Sequence, residues 1–306
     1  MQEYRYNGKL IIGIDHGYGN MKTAHRVFKS GVDVKDEEPI VSKNYIKFEN
    51  KYYVIGESHL TYQGDKTLSE EYRILTIAAI AEELKFRGLH EADVILAVGL
   101  PLAWVGKQRE NFKRYLLEKN DLVFEFRQEK YHVRIADVIV FAQGVAAITG
   151  RDLKGFNMVV DIGNGTMNVM QINDEKPIEK SIVTEKYGVS LCVKEICREL
   201  SKESGNDFSE EYIEPLIRNG VGNRNDIIAV TVNKIATKYA NEIWNRLLDN
   251  GYKEGITRLY VVGGGGCLLK HFSDFSEKIG IVFIDDICAN AKGYEMVVNQ
   301  VLSSKR

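Results

Sequence analysis

An eight-residue pattern occurs twice in this chain. Asp15-His16-Gly17-Tyr18-Gly19-Asn20-Met21-Lys22 aligns without gaps on Asp161-Ile162-Gly163-Asn164-Gly165-Thr166-Met167-Asn168, and both copies read D-x-G-x-G-x-M-x after a short apolar run. An apolar run closed by a glycine turn and followed by a second such run describes a strand, a tight turn and a return strand. A single hairpin of this kind constrains little, because Asp-Gly and Asn-Gly turns are common hairpin connections. Two copies in the same context point to a duplication, and so to a fold built from two related halves.

The surrounding elements support that division. In the first half, LIIGID (10–15) reads as a buried strand, MKTAHRVF (21–28) as its return strand, and a third stretch lies near Gly31 to Val34. YIKFEN and KYYVIG form a small hairpin around Asn50, residues 69–87 a helix, DVILAVGLP (93–101) a strand, and about 106–119 another helix. LVFEF and YHVRI suggest a further hairpin, and residues 136–150 a strand that becomes a short helix from about Gln143. The second half restarts with FNMVVDIG (156–163), MNVMQI and IEKSIVTE as strands. A long helical region from about 188 to 250 follows, broken near 219–226, then the strand LYVVGGGG, a helix, the strand GIVFID and a last helix. Each half reads β-β-β-α-β-α with insertions, which predicts three-layer α/β domains. The boundaries fall at 1–154, with a small insertion at about 35–68, and at 155–306, with a helical insertion at about 190–250. The last helix, about 289–303, could pack back on the first half.

The repeated turns have a chemistry of their own. Glycines let the backbone approach a ligand and adopt positive φ, so that successive N–H groups can point at a phosphate chain. Gly17, Tyr18, Gly19 and Asn20 in one turn, and Gly163, Asn164, Gly165 and Thr166 in the other, are the candidate phosphate-binding residues, with Asn168 beyond the second. An aspartate beside phosphates needs a cation between them, and Mg²⁺, a hard ion that keeps several of its waters, fits two carboxylates, Asp15 and Asp161. Lys22 could neutralise phosphate charge, or be a solvated strand lysine. Gly263, Gly264, Gly265 and Gly266, after a strand and before a helix, leave a bare backbone against which a base or ribose could lie.

Bulk properties exclude several classes. A net charge of −2 argues against a general nucleic-acid binder. No apolar run is long enough to span a membrane, and the N-terminal segment lacks a signal-peptide layout. The four cysteines, Cys192, Cys197, Cys267 and Cys288, form no C-x-x-C pair, which argues against zinc and iron–sulfur sites and for reduced thiols in a cytoplasmic protein.

The motifs resemble those of the actin superfamily. IIGIDHGYGNMKTA looks like its first phosphate motif, VVDIGNGTMNVMQI its second, and LYVVGGGGCLL its adenosine motif; ANAKGYEMV (289–297) is similar to a C-terminal segment of ParM-like bacterial actins, the plasmid-segregation proteins. The resemblance implies the actin-like ATPase fold, two duplicated RNase H-like domains with a nucleotide cleft between them. It implies ATP and Mg²⁺ as ligands, with Asp15 and Asp161 organising the waters of the metal. VFAQGVAAI then corresponds to the connecting motif, and Gln143 to the residue that orients the attacking water, Asp161 assisting; otherwise Gln143 is a polar helix-start residue. The implied function is an ATPase that polymerises head to tail, turns over by hydrolysis and segregates plasmid DNA through an adaptor protein, with no direct DNA contact and no membrane contact. The alternatives are a sugar-type kinase of the same fold, opposed by the lack of an acid at position 143, and a non-segregation cytoskeletal scaffold.

Overall fold

The computed structural model describes residues 3–57, 65–224 and 226–304. In chain order the strands and α-helices are β1 (Arg5–Tyr6), β2 (Lys9–His16), β3 (Asn20–Thr23), β4 (Val27–Lys29), β5 (Val32–Lys35), β6 (Tyr45–Phe48), β7 (Lys51–Ile55), α1 (Glu71–Arg87), β8 (Glu91–Leu100), α2 (Leu102–Leu117), β9 (Asp121–Phe126) and β10 (Glu129–Ala142). They continue as β11 (Phe156–Ile162), β12 (Met167–Asn173), β13 (Lys176–Pro177), β14 (Val183–Glu185), α3 (Val189–Ser204), α4 (Glu210–Asn219), α5 (Ile227–Asp249), β15 (Arg258–Val262), α6 (Gly266–Phe272), β16 (Ile281–Phe283) and α7 (Ala289–Ser303). The chain divides into two compact units, Met1–Gly150 with Cys288–Arg306, and Arg151–Ile287.

Both units are built on one strand pattern. In the first, β3 returns antiparallel beside β2, while β8 and then β10 add in parallel on the other side of β2. In the second, β12 returns antiparallel beside β11, and β15 and then β16 add in parallel. The duplication is therefore structural, and the two units are RNase H-like. The first unit extends its sheet beyond β10 through β9, β6, β7 and β5. Residues 58–64 of the insertion expected at 35–68, and Asn225 of the helical break, lie outside the described residues.

Burial explains why the central strands read as continuous apolar runs. Side chains alternate across a strand. On β2, Leu10, Ile12 and Ile14 enter the core that holds Ile74, Ile77 and Ala81 of α1, whereas Ile11 joins Tyr294 and Val298 of α7. In the second unit Met158, Val160 and Ile162 of β11 share a core with Cys192 and Ile196 of α3 and Ile243 of α5.

Several local expectations are corrected. Residues 21–28 are two strands, because Thr23 accepts a hydrogen bond from the Arg26 N–H (3.0 Å) through its hydroxyl and closes a turn without glycine or proline. YHVRI and ADVIVFA are one strand, β10, with a register shift between Ile135 and Asp137. No α-helix begins at Gln143; a turn leads into a short 3₁₀ segment, Ala146–Ile148. Of IEKSIVTE only Val183–Glu185 is a strand. The helical region breaks twice, since Gly205 ends α3 in the left-handed conformation (φ 70°) and α4 stands separately before α5.

Candidate functional site

The two repeated turns have the same register. Asp15 pairs across the hairpin with Lys22, and Asp161 with Asn168, so each aspartate is the penultimate residue of its strand, and four residues separate the last paired positions, His16 and Met21 in one hairpin and Ile162 and Met167 in the other. In the first turn the carbonyls of Gly17 and Gly19 accept from Ser30, through its hydroxyl (2.8 Å) and its N–H (3.1 Å). In the second the carbonyls of Gly163 and Asn164 accept from the first amides of α3, Val189 (3.1 Å) and Ser190 (3.0 Å). Both turns thus have carbonyls tied down by a downstream segment. Among the described residues, the N–H groups of Gly19, Asn164 and Gly165 meet no protein acceptor, and these residues are partly exposed. Such amides suit an anion.

At these turns close approach, not positive φ, requires a glycine, and it does so at Gly17. None of the four hairpin glycines has positive φ. A Cβ on Gly17 would overlap the Asn20 carbonyl oxygen, while one on Gly163 would meet the Thr166 oxygen at 3.5 Å. Positive φ occurs instead in the glycine run, at Gly263 (φ 86°), where a Cβ would also strike the Asp161 carboxylate. The Gly265 N–H donates to the Ile162 carbonyl (2.9 Å), and a Cβ there would overlap the Ile162 side chain. Gly264 faces open space, and Gly266 begins α6 against Val261 and Phe283. The run and the second phosphate turn are thus one assembly.

Electrostatics concentrate at the first turn. Asp15 is 2% exposed. Its carboxylate accepts from Lys22 Nζ (3.1 Å) and from Gln143 Nε2 (2.7 Å). Burial pushes the Asp15 carboxyl up, but Lys22, the charge of Lys66 and the Gln143 hydrogen bond together hold it below the ordinary carboxylate range. It is therefore ionised at neutral pH. A carboxylate only accepts, so Gln143 must present its NH₂ to Asp15, leaving Oε1 as an acceptor for a water. His16 is fully buried; its Nε2 lies 2.8 Å from the Thr76 hydroxyl, and burial followed by the Lys66 charge lowers its pKa to about 3. It remains neutral.

In the second unit Asp161 is 7% exposed at the end of β11. Asn168 is buried and accepts from the Thr184 hydroxyl (2.8 Å), and the Thr166 carbonyl accepts from the Gly163 N–H (2.8 Å). Both serve the turn's architecture. Among the described residues no cluster of three or more histidine, cysteine or acidic side chains forms a metal centre, so any cation here depends on isolated carboxylates and water.

Two further contributors were not recognised from the sequence pattern. Lys66, in the polar stretch before α1, is 1% exposed and donates to the His16 carbonyl at the first turn. Asn290 of α7 accepts from the Gly144 N–H (2.9 Å) and so fixes the turn that carries Gln143. The rest of that helix segment packs just as closely. Backbone at Gly13 touches the Ala291 carbonyl, Gly293 touches that of Ala146, and the Tyr294 ring lies against Gly99 and stacks on Phe141 at 5.5 Å. The ANAKGYEMV segment is thus a close-packed brace for the strand and turn bearing Asp15 and Gln143.

Two duplicated units, each with an Asp-containing glycine hairpin, define the actin-type class. A family model for the N-terminal domain of actin-like proteins matches residues 13–145, and one for the C-terminal domain of the archaeal actin homologue, MreB-like, matches 159–274. The two models together span most of the chain and place it in the actin family. Solved structures agree on the fold. An archaeal actin homologue, Ta0583, superposes with TM-score 0.79 at 22% identity, covering 95% of this chain and 99% of that one; its complex with ADP gives 0.77 at 20%. A subunit of a 15-stranded ParM filament from Clostridium botulinum gives TM-score 0.73 at 20% identity over 96% and 99% of the two chains. Bacillus thuringiensis ParM with AMPPNP gives 0.69 at 16% over 97% and 100%. No curated protein matches the sequence. Among the described residues no helix is long and apolar enough to cross a membrane, and no disulfide joins any of the four cysteines.

Proposed function

We propose that this protein is an ATPase that polymerises with ATP and Mg²⁺ bound and depolymerises after hydrolysis. The observation that carries the reading is the pair of hairpins in one register, each with a buried aspartate beside open backbone amides. The amides of Gly19, Asn164 and Gly165 receive phosphate oxygens, and the glycine run from Gly263 to Gly266 receives the nucleoside. ATP brings the phosphoanhydride and Mg²⁺ the counter-charge; Asp15 and Asp161 hold the waters of the cation. Gln143, its amide committed to Asp15, accepts from the attacking water through Oε1 and aligns it, which is positioning and not proton abstraction. Relatives of the same fold have been captured with ADP, with AMPPNP and as a filament. The polymer acts in plasmid segregation, with an adaptor protein making the DNA contact, and the protein works in the cytoplasm.

The test is sedimentation and negative-stain microscopy with Mg-ATP, with Mg-ADP and without nucleotide, over a range of protein concentrations. An open head-to-tail contact predicts polymer above a threshold concentration with ATP. A protein that binds and hydrolyses ATP yet stays dispersed in every condition would sink the filament reading, and one that phosphorylates a small alcohol would establish a kinase.

A further inference from the structure

We infer that Lys66 is a ligand of the terminal phosphate of the bound nucleoside triphosphate. The inference rests on the proposed nucleotide site and names one more residue of it. Asp65 accepts from both the N–H (2.9 Å) and the hydroxyl (2.7 Å) of Thr67, a local turn that contains Lys66. Its ammonium donates to the His16 carbonyl and lies 5.8 Å from the ring centre of Tyr18, in the phosphate turn, and 5.3 Å from that of Tyr72.

What is missing from this arrangement is an anion. An ammonium has three donors, and among the described residues the contacts of Lys66 are one carbonyl and two aromatic faces. Among the described residues it forms no ion pair within 4.0 Å. Asp15, the carboxylate whose charge reaches it, is already bonded to Lys22 and Gln143. Burying an ammonium without a counter-ion is expensive. The cost shows in its proton affinity, which burial, against the pull of Asp15 and with the push of Lys22, brings to about 7. A lysine that merely pinned a loop to a carbonyl would gain nothing from this isolation, and a neutral donor would serve as well. A phosphate held at the neighbouring turn would supply the absent charge. The groups coupled to Lys66 are Asp15 and, through it, Gln143, which serve the cation and the attacking water, so the phosphate it meets is the terminal one.

The experiment compares affinities for AMPPNP and ADP, each with Mg²⁺, in the wild type, Lys66→Met and Lys66→Arg. Lys66→Met should weaken AMPPNP binding about tenfold, the scale of one charge-assisted hydrogen bond, and leave ADP within about twofold. Lys66→Arg should recover most of the loss. Equal weakening of both nucleotides would make Lys66 a brace of the turn and overturn the inference, as would an unchanged ratio. If Lys66→Met does not fold, the wild type labelled with ¹⁵N-lysine decides, with the Lys66 ammonium signal assigned by its loss in Lys66→Arg. That signal should shift with AMPPNP and stay with ADP, and the same response to both overturns the inference. A wild type that binds neither nucleotide refutes the nucleotide site itself, a separate result.

Discussion

The hairpin at Asp15 and the hairpin at Asp161 share register, turn length and a carbonyl-anchoring scheme, yet they are finished differently. At the first, side-chain charge dominates: Lys22 and Gln143 hold the carboxylate and Lys66 stands behind it. At the second, backbone dominates. The N-terminus of α3 holds the turn, and the Asp161 carboxylate lies against the α-carbon of Gly263, where no other residue fits. A duplicated scaffold has thus been kept for what both copies must do, presenting amides to an anion, while the surroundings of the two aspartates diverged. Under the proposed function the first turn manages charge and water, and the second seats the nucleotide.

The largest expected effect probes that asymmetry directly. Asp161→Ala should lower ATP turnover by about 10³-fold, the upper range for loss of one preorganised electrostatic group. Asp15→Ala should also abolish most turnover, but with a lower unfolding temperature than Asp161→Ala, because it strips two charge-assisted partners from a buried cluster. Thermal unfolding of the two variants beside their steady-state rates makes the comparison, and equal melting points would show that the two aspartates are not differently embedded. Next in size is Gln143→Ala. With Asp15 still ionised and held by Lys22, nucleotide binding and polymer formation should persist while hydrolysis falls by about 10²-fold, so filaments outlive those of the wild type. Normal hydrolysis in a folded Gln143→Ala protein would remove Gln143 from the mechanism.

A smaller effect is expected one step further out. Asn290 accepts from the Gly144 N–H in the turn that carries Gln143. Asn290→Ala should therefore reduce turnover about tenfold while changing nucleotide affinity little, since it costs one hydrogen bond and some precision of the Gln143 turn. A single-turnover assay with the protein in excess over nucleotide, at several protein concentrations, separates the two quantities. If affinity drops and the rate does not, α7 braces binding and not the water.

How much of this was legible follows the range of the forces involved. β2 and β11 were readable because strands covered on both faces are apolar without interruption, and the hairpins because the repeat marks itself. The β3–β4 turn was not, since Thr23 closes it with a side-chain hydroxyl where no glycine or proline announces a turn. The helix expected at Gln143 failed because Gly144, at φ 86°, and the Asn290 bond impose a turn whose partner is 146 residues away. Positive φ was expected at the hairpin glycines and found at Gly263, because a glycine in sequence does not say whether it serves torsion or proximity. Lys66 gave no signal at all. Its neighbours are polar, and its burial is created by Tyr18, Tyr72 and His16, which only the fold assembles.

The smallest effect separates the two hairpins by pH. The strand of the first is braced by Glu295 of α7, 2% exposed, whose Oε1 accepts from the Gly13 N–H at 2.9 Å. Burial raises the Glu295 carboxyl to about 7, although the Gly13 hydrogen bond and the Arg87 charge oppose it; Glu3 adds to the rise and Lys292 to the opposition. In the unfolded chain the same group titrates near about 4.3. Because the folded value is the higher one, the stability linked to its proton is fully present below about 4.3 and is lost as pH rises through 7. Glu295→Gln keeps an oxygen for Gly13 and cannot ionise. The variant should therefore gain on the wild type between pH 5 and pH 8 by about 2–3 kcal/mol of stability. Amide exchange localises the effect: Gly13 and its neighbours on β2 should open more readily at pH 8 than at pH 5 in the wild type, after correction for intrinsic exchange, while β11 should not change. Parallel stability curves for the two proteins between pH 5 and 8 would show that Glu295 is already ionised in the fold, and that the first hairpin rests on a charged brace instead of a neutral one.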